Sequence, residues 1–224
     1  MTRSDHRDTI ERLVEDAVPV RPLAPALATM TRWGGLVLGL CALGIASGGL
    51  DRLTTSAADP MFVAQLAALL VAAIVASVVA LHAVVPGEEP NGWRLLAACL
   101  ACAPAVVTPL LLPAERPVDV AHFAAAGIEC AAVTLAAGLV LFAALAIAVR
   151  RGTPFRAGAA ALFAGTAALS AASMVARLRC PAEERWHVLA WHLVPVVIGL
   201  TIVALTRTRW WQAGRPSNPI GDTF

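Results

Sequence analysis

The chain has 224 residues, 58% of them hydrophobic and 14% charged, with a mean hydropathy of +0.73. Soluble domains carry about a quarter charged residues, so these proportions exclude an ordinary water-soluble enzyme. The 17 basic residues are all arginines, scattered singly or in pairs among acids, and the net charge is only +2. No nucleic-acid surface is written there.

Residues 1–32 form a charged arm. Within it Ile10, Leu13, Val14, Ala17 and Val18 recur at i, i+3, i+4, i+7 and i+8, which is one apolar face of a short helix. Asp5 and Asp8 lie near its start, where negative charge suits the helix dipole. Pro19 and Pro22 end it, and Pro25 stiffens the connector. A helix of about three turns is marginal alone in water. Its five acids, mixed with arginines, fit an anionic leaflet poorly. The stripe is therefore expected to bury itself on a protein partner. A cleaved leader is not expected, because the first apolar run starts only after Arg32 and the arm is acidic.

Residues 33–206 read as a six-span transmembrane domain, and 207–224 as a short tail. The expected spans are Trp33 to Leu50, Phe62 to Val85, Trp93 to Leu112, Phe123 to Val149, Phe155 to Val175 and Trp186 to Leu205. Each is long enough to cross a bilayer, which takes about 20 apolar residues, and the fourth is too long for one span. The connections hold Pro, Gly and charge, and Trp33, Trp93 and Trp186 are placed at span ends, where indole rings favour the headgroup layer. The fold class is thus all-α, a polytopic membrane helix bundle in a lipid bilayer. Orientation follows from the arginines. Twelve of them, in the arm, at Arg94, around Arg150 and Arg151, and in the tail, fall on one side, against five on the other: Arg52, Arg116, Arg177, Arg179 and Arg185. Arginine is retained in the cytoplasm, so both termini are predicted cytoplasmic. Gly35-x-x-x-Gly39 and Gly44-x-x-x-Gly48 are close-approach motifs that serve packing within one bundle or a homo-oligomer equally.

Among five cysteines, Cys41 reads as a small packing residue. Cys99 and Cys102 form a C-x-x-C on an apolar helix without the electropositive setting of a redox pair. Cys130 and Cys180 differ. Counting about 20 residues back from Val149 puts Cys130 at the outer end of the fourth span. This also moves Glu129 out of the bilayer centre, where a carboxylate costs about 2.5–3.5 kcal/mol or more. Cys180 lies in the fifth connection, on the same outer side. Glu129, Glu183, Glu184, His187 and His192 stand around them. Thiolates with imidazoles suit a soft or borderline metal, in transient occupancy rather than as a permanent cofactor. A structural disulfide or two unpaired packing thiols are read from the same residues. No catalytic set is identified. A membrane thiol–disulfide oxidoreductase would need a reactive pair close in sequence at the outer face, and a small transporter would need polar groups at mid-membrane.

The chain resembles the NrsF-type integral-membrane anti-sigma factors of proteobacteria. The resemblance rests on the arm from Ile10 to Leu23, with its Pro19-Val20-Arg21-x-Leu23, and on Asp59-Pro60 with Phe62 opening the second span. It rests further on Arg150-Arg151-Gly152-Thr153-Pro154, and most specifically on Cys180-Pro181 followed by Trp191-His192. It implies a six-span bacterial inner-membrane protein with no enzymatic activity. Such a protein holds an extracytoplasmic-function sigma factor through its N-terminal segment and senses metal or oxidative stress through two periplasm-side cysteines. By position those are Cys130 and Cys180, with His187 and His192 as candidate metal ligands. One position departs: Arg179 precedes Cys180 where histidine is common in the family, and arginine has no lone pair to offer a metal.

Overall fold

The structure, a computed structural model, describes residues 11, 14–15, 24–85, 87–88, 90–113, 120–152 and 157–212. Of the arm stripe, Val14 is described, in a helical segment and 67% exposed. Ile10, Leu13, Ala17 and Val18 lie outside the described residues, as do the tail beyond Gln212 and most of the connection around Pro154.

Among the described residues there is no strand, and six helices are long and apolar enough to cross a membrane. Helix α1 runs from Ala26 to Gly44, breaks within Ile45–Gly49, where Ser47 and Gly48 leave the helical conformation and Gly48 takes a φ of 124°, and resumes as Leu50–Ser56. Helix α2, Pro60–His82, is started by Asp59, whose carboxylate accepts from the Met61 N–H at 2.9 Å, with proline at the first helical position. Helix α3, Gly92–Val107, is capped by Asn91, whose side-chain oxygen accepts from the Arg94 N–H, and closes with a tighter turn Thr108–Leu111. Helix α4 is Val120–Arg150 and α5 is Ala157–Arg179. Helix α6 comprises Arg185–Val188, a wide turn Leu189–Leu193, and Val194–Gln212. Such composition and length mark the chain as a membrane protein.

Four boundaries differ most from the sequence reading, one of them the end of α6, which runs seven residues past Leu205 to Gln212. Helix α1 begins seven residues before Trp33, directly after Pro25, because Ala26, Leu27, Ala28 and Met30 are strong helix formers. Trp33 is consequently not at the helix end: it is buried, and its indole N–H donates to the Leu141 carbonyl at 3.2 Å. Residues Asp51–Ser56, expected in a connection, continue from Leu50 as a further helical segment in which Thr54 and Thr55 hydroxyls donate to the Asp51 carbonyl. Helix α5 continues past Val175 to Arg179, since Arg177 finds partners inside the protein. By contrast Trp93 and Trp186 do stand exposed at helix starts.

Helix α5 is the centre. It packs against α1, α2, α4 and α6, and most of its length is buried. Its run of Ala, Gly and Ser explains why: without a hydrophobic drive between helices in lipid, small side chains that let backbones approach supply the packing. The outer faces of α3 and α6 remain apolar and exposed, with Leu96, Leu100 and Val107 on one and Val197, Ile198 and Ile202 on the other, as lipid-facing surfaces should. Cys41 is buried in the core, Cys102 is half-buried with its thiol near the Ala72 carbonyl, and Cys99 is exposed.

Candidate functional site

At one end of the bundle α4, the α5–α6 connection and α6 deliver thiols and imidazoles to one point. Helix α5 stops at Arg179 because the residue before a proline is driven out of the helical region, and Pro181 follows. Cys180 is thus held at the helix end, its N–H donating to the Ala176 carbonyl at 2.9 Å. Cys130 comes from α4, half-buried, with Thr134 donating to its carbonyl. His187 and His192 come from α6. Five residues apart on a regular α-helix, their side chains point about 140° away from each other. The wide turn Leu189–Leu193 takes up that angle and returns both imidazoles to one face, their ring centroids 5.8 Å apart.

The Cys130 and Cys180 sulfurs and one ring nitrogen from each of His187 and His192 all lie within 4.8 Å of one another. The Cys180 sulfur is 3.3 Å from His187 Nε2. Both cysteines are free thiols. Cys180, His187 and His192 are buried, and Phe123 closes one side, its ring edge-on to His187 and tilted against Trp191. The Trp191 indole lies directly on Gly127 of α4, where any Cβ would overlap the ring. A hollow of about 200 Å³ leads to the two sulfurs past Ser47, Gly48 and the Glu129–Arg179 ion pair of 2.9 Å.

The Cys180 thiol is held well below its ordinary pKa, first by hydrogen bonding to Cys130 and then by the imidazoles of His187 and His192, against a burial that pushes the other way. Nearby, the Arg177 guanidinium is 1% exposed. Its Nε donates to Gln65 Oε1 at 2.9 Å and its Nη1 to the Ala182 carbonyl at 2.7 Å. It shares the Phe62 ring with Arg52, the two guanidinium carbons 5.7 and 5.0 Å from the ring centroid.

The connection carrying Cys180 is also tied to the outer ends of α1 and α3. Glu183 pairs with Arg52 at 2.6 Å and accepts from the Ser56 hydroxyl. Arg185 donates through its Nε to the Leu112 carbonyl and through its N–H to that of Pro113. Glu183 is thereby occupied away from the thiols, and Glu129 is turned to Arg179, so neither joins the cluster. Cys99 and Cys102 are likewise not part of it. Gln65 and Phe123 were not singled out as site residues from sequence, Trp191 entered only through the resemblance, beside His192, and Arg177 only among the arginines that set orientation. The one signal for Arg177 was a charge near the end of an apolar run.

Chemically, two sulfurs and two imidazole nitrogens match the donor set of a tetrahedral thiolate–imidazole centre. Metal–sulfur bonds of about 2.3 Å and metal–nitrogen bonds of about 2.0 Å place such donors roughly 3.3–3.8 Å apart. The observed spread of up to 4.8 Å needs a contraction of about one ångström. No curated protein and no solved structure matches the chain. The family model NrsF, negative regulator of sigma F, matches residues 13–211, which covers the six helices and the end of the arm. With the match spanning most of the sequence, the chain belongs to the NrsF family of negative regulators of sigma F.

Proposed function

We propose that this protein is a bacterial inner-membrane anti-sigma factor with both termini cytoplasmic. Its N-terminal arm holds an extracytoplasmic-function sigma factor, and the cluster of Cys130, Cys180, His187 and His192 sets the strength of that hold. The observation that carries the reading is the convergence of these four donors, from α4, the α5–α6 connection and α6, to within 4.8 Å. A soft or borderline divalent ion bound there takes two thiolates and two neutral imidazoles, releasing the thiol protons. A peroxide uses the same sulfurs: the two thiols are oxidised to a disulfide, giving up two protons and two electrons, and the peroxide is reduced to two waters. The ion draws α4, α6 and the connection together, and the disulfide draws α4 and the connection together.

The energy scale suffices. Turning a partner from about 99% bound to about 1% bound takes roughly 5.5 kcal/mol of differential affinity. Thiolate–imidazole zinc sites reach apparent binding energies of about 10–16 kcal/mol, so about half of that, spent on rearrangement, releases the arm's partner. The route runs through Glu183 to Arg52 and Ser56 at the outer end of α1, whose other end continues into the arm.

The test is sigma-dependent reporter output with and without cadmium or peroxide. Cys130→Ser, Cys180→Ser and the double variant should each abolish induction, and the double should resemble either single, because the two act as one unit. His187→Ala and His192→Ala should abolish the cadmium response and leave much of the peroxide response. Cys41→Ser and Cys99→Ser with Cys102→Ser should respond normally. Val14→Glu should give high output without any inducer, since burying an unpaired charge costs several kcal/mol. Equal induction in the wild type and the double variant, with both in the membrane, sinks the sensor reading.

A further inference from the structure

At the end of the bundle away from the thiols lies a hollow of about 630 Å³, between the start of α1, the end of α2 and the end of α4. Its floor is apolar and buried: Trp33, Leu81, Val84 and Leu145. Its rim carries two exposed arginines, Arg32 from α1 and Arg151 from just beyond α4. Neither has a hydrogen-bond or ion-pair partner for its side chain among the described residues. Two guanidiniums brought to one cavity by different helices repel each other, and a shared anion between them turns that repulsion into attraction.

We infer that this hollow binds one anionic phospholipid, its phosphate between Arg32 and Arg151 and the upper part of an acyl chain along Trp33, Leu81, Val84 and Leu145. The guanidinium fork matches phosphate oxygens in pairs. Basic pockets between spans at headgroup depth are the usual form of acidic-lipid sites, and the volume falls in the range of about 300–1,000 Å³ of small-molecule pockets. The apolar floor is what favours a lipid over a soluble phosphate, which has nothing to place there. The protein's own arm is the other candidate occupant, but Val14 on its stripe stands 67% exposed, out of the hollow. Ala24, where the arm joins α1, lines the rim. A lipid seated here therefore lies beneath the root of the arm and sets its exit from the bundle. This site stands apart from the thiol cluster, and its failure leaves that reading untouched.

The experiment is retention of dioleoylphosphatidylglycerol against dioleoylphosphatidylcholine by the full-length protein, counted by native mass spectrometry, with the thermal midpoint in each lipid measured alongside. Each basic residue near a phosphate is worth about fivefold, so the wild type should retain the anionic lipid at least about tenfold better. Arg32→Gln with Arg151→Gln should bring that ratio close to one while leaving the midpoint in phosphatidylcholine unchanged. Each single variant should fall between. Arg94→Gln, an exposed arginine outside the hollow, should keep the full preference, and millimolar inorganic phosphate should not displace the lipid. A preference that survives the double variant overturns the inference. So does removal of residues 1–20 raising retention several-fold, which would make the arm the occupant.

Discussion

Cys180 sits where α5 runs out, one residue before a proline, with His187 Nε2 3.3 Å from its sulfur. Reactivity follows thiolate population, and the neighbours of Cys180 hold its pKa below the ordinary thiol range, Cys130 foremost and the two imidazoles after it. The sign is then fixed: the thiolate is populated at pH values below about 8.5, where a free cysteine is mostly protonated. Alkylation of Cys180 by a small neutral reagent should proceed at neutral pH, and the midpoint of its rate against pH should lie below that of a model thiol. His187→Ala removes one of the groups holding the anion, so its profile should move to higher pH. An unmoved profile would mean that His187 only packs there. From sequence, counting helix rise from Arg150 and assigning loops by arginine placed the two cysteines at one depth, and the two histidines were named beside them. Arg177 was not legible. Its role depends on Gln65 and Ala182 being within reach, and those neighbours exist only once α2, α5 and the connection have packed together.

Helix count and order could be read from apolar runs because a bilayer demands about 20 residues of internally bonded backbone per crossing. What could not be read were the break in α1 at Ser47 and Gly48, within Ile45–Gly49, and the wide turn Leu189–Leu193, whose one extra residue leaves composition unchanged. Yet both face the thiol cluster: the second sets the imidazoles side by side, and the first opens α1 at Ser47 and Gly48, which line the hollow leading to the sulfurs. The first turn also brings Gly49 against α5. A Cβ there would stand 2.6 Å from the Leu178 carbonyl oxygen and 3.0 Å from that of Gly44, both backbone atoms with little freedom to yield. Gly49→Ala should therefore push α1 off α5 at a cost of about 1–3 kcal/mol, lowering the thermal midpoint by several degrees. Gly39→Ala, with nothing within 4 Å of its Cβ, should be neutral. Equal midpoints for both variants would show that α1 gives way freely at this turn, and that its outer segment is not held against α5.

On the scale of the molecule, the thiol cluster and Ala24, where the arm joins α1, lie towards opposite ends of one bundle, and whatever passes between them must cross the packed helices. The connection that carries Cys180 has few ways to act at a distance. It touches α2 through Arg177 and Gln65, α3 through Arg185, and α1 through Glu183. Only α1 leads on into the arm, so under the proposed function the Glu183–Arg52 pair is the contact through which closing the site would bear on the sigma factor most directly. Glu183 is not among the four converging donors, which lets ligation and transmission be separated. In Glu183→Gln, the cadmium dissociation constant of the purified protein should stay within about twofold of wild type. The cadmium needed for half-maximal reporter induction should meanwhile rise about fivefold or more, the lower end of a coupling of about 1–3 kcal/mol. Spatial position alone does not establish a route, so the double variant with Arg52→Gln supplies the check. If the pair is the route, losing both partners should be no worse than losing one. Additive losses would place Arg52 and Glu183 on separate paths, and unchanged induction in Glu183→Gln would move transmission to Arg177 and α2.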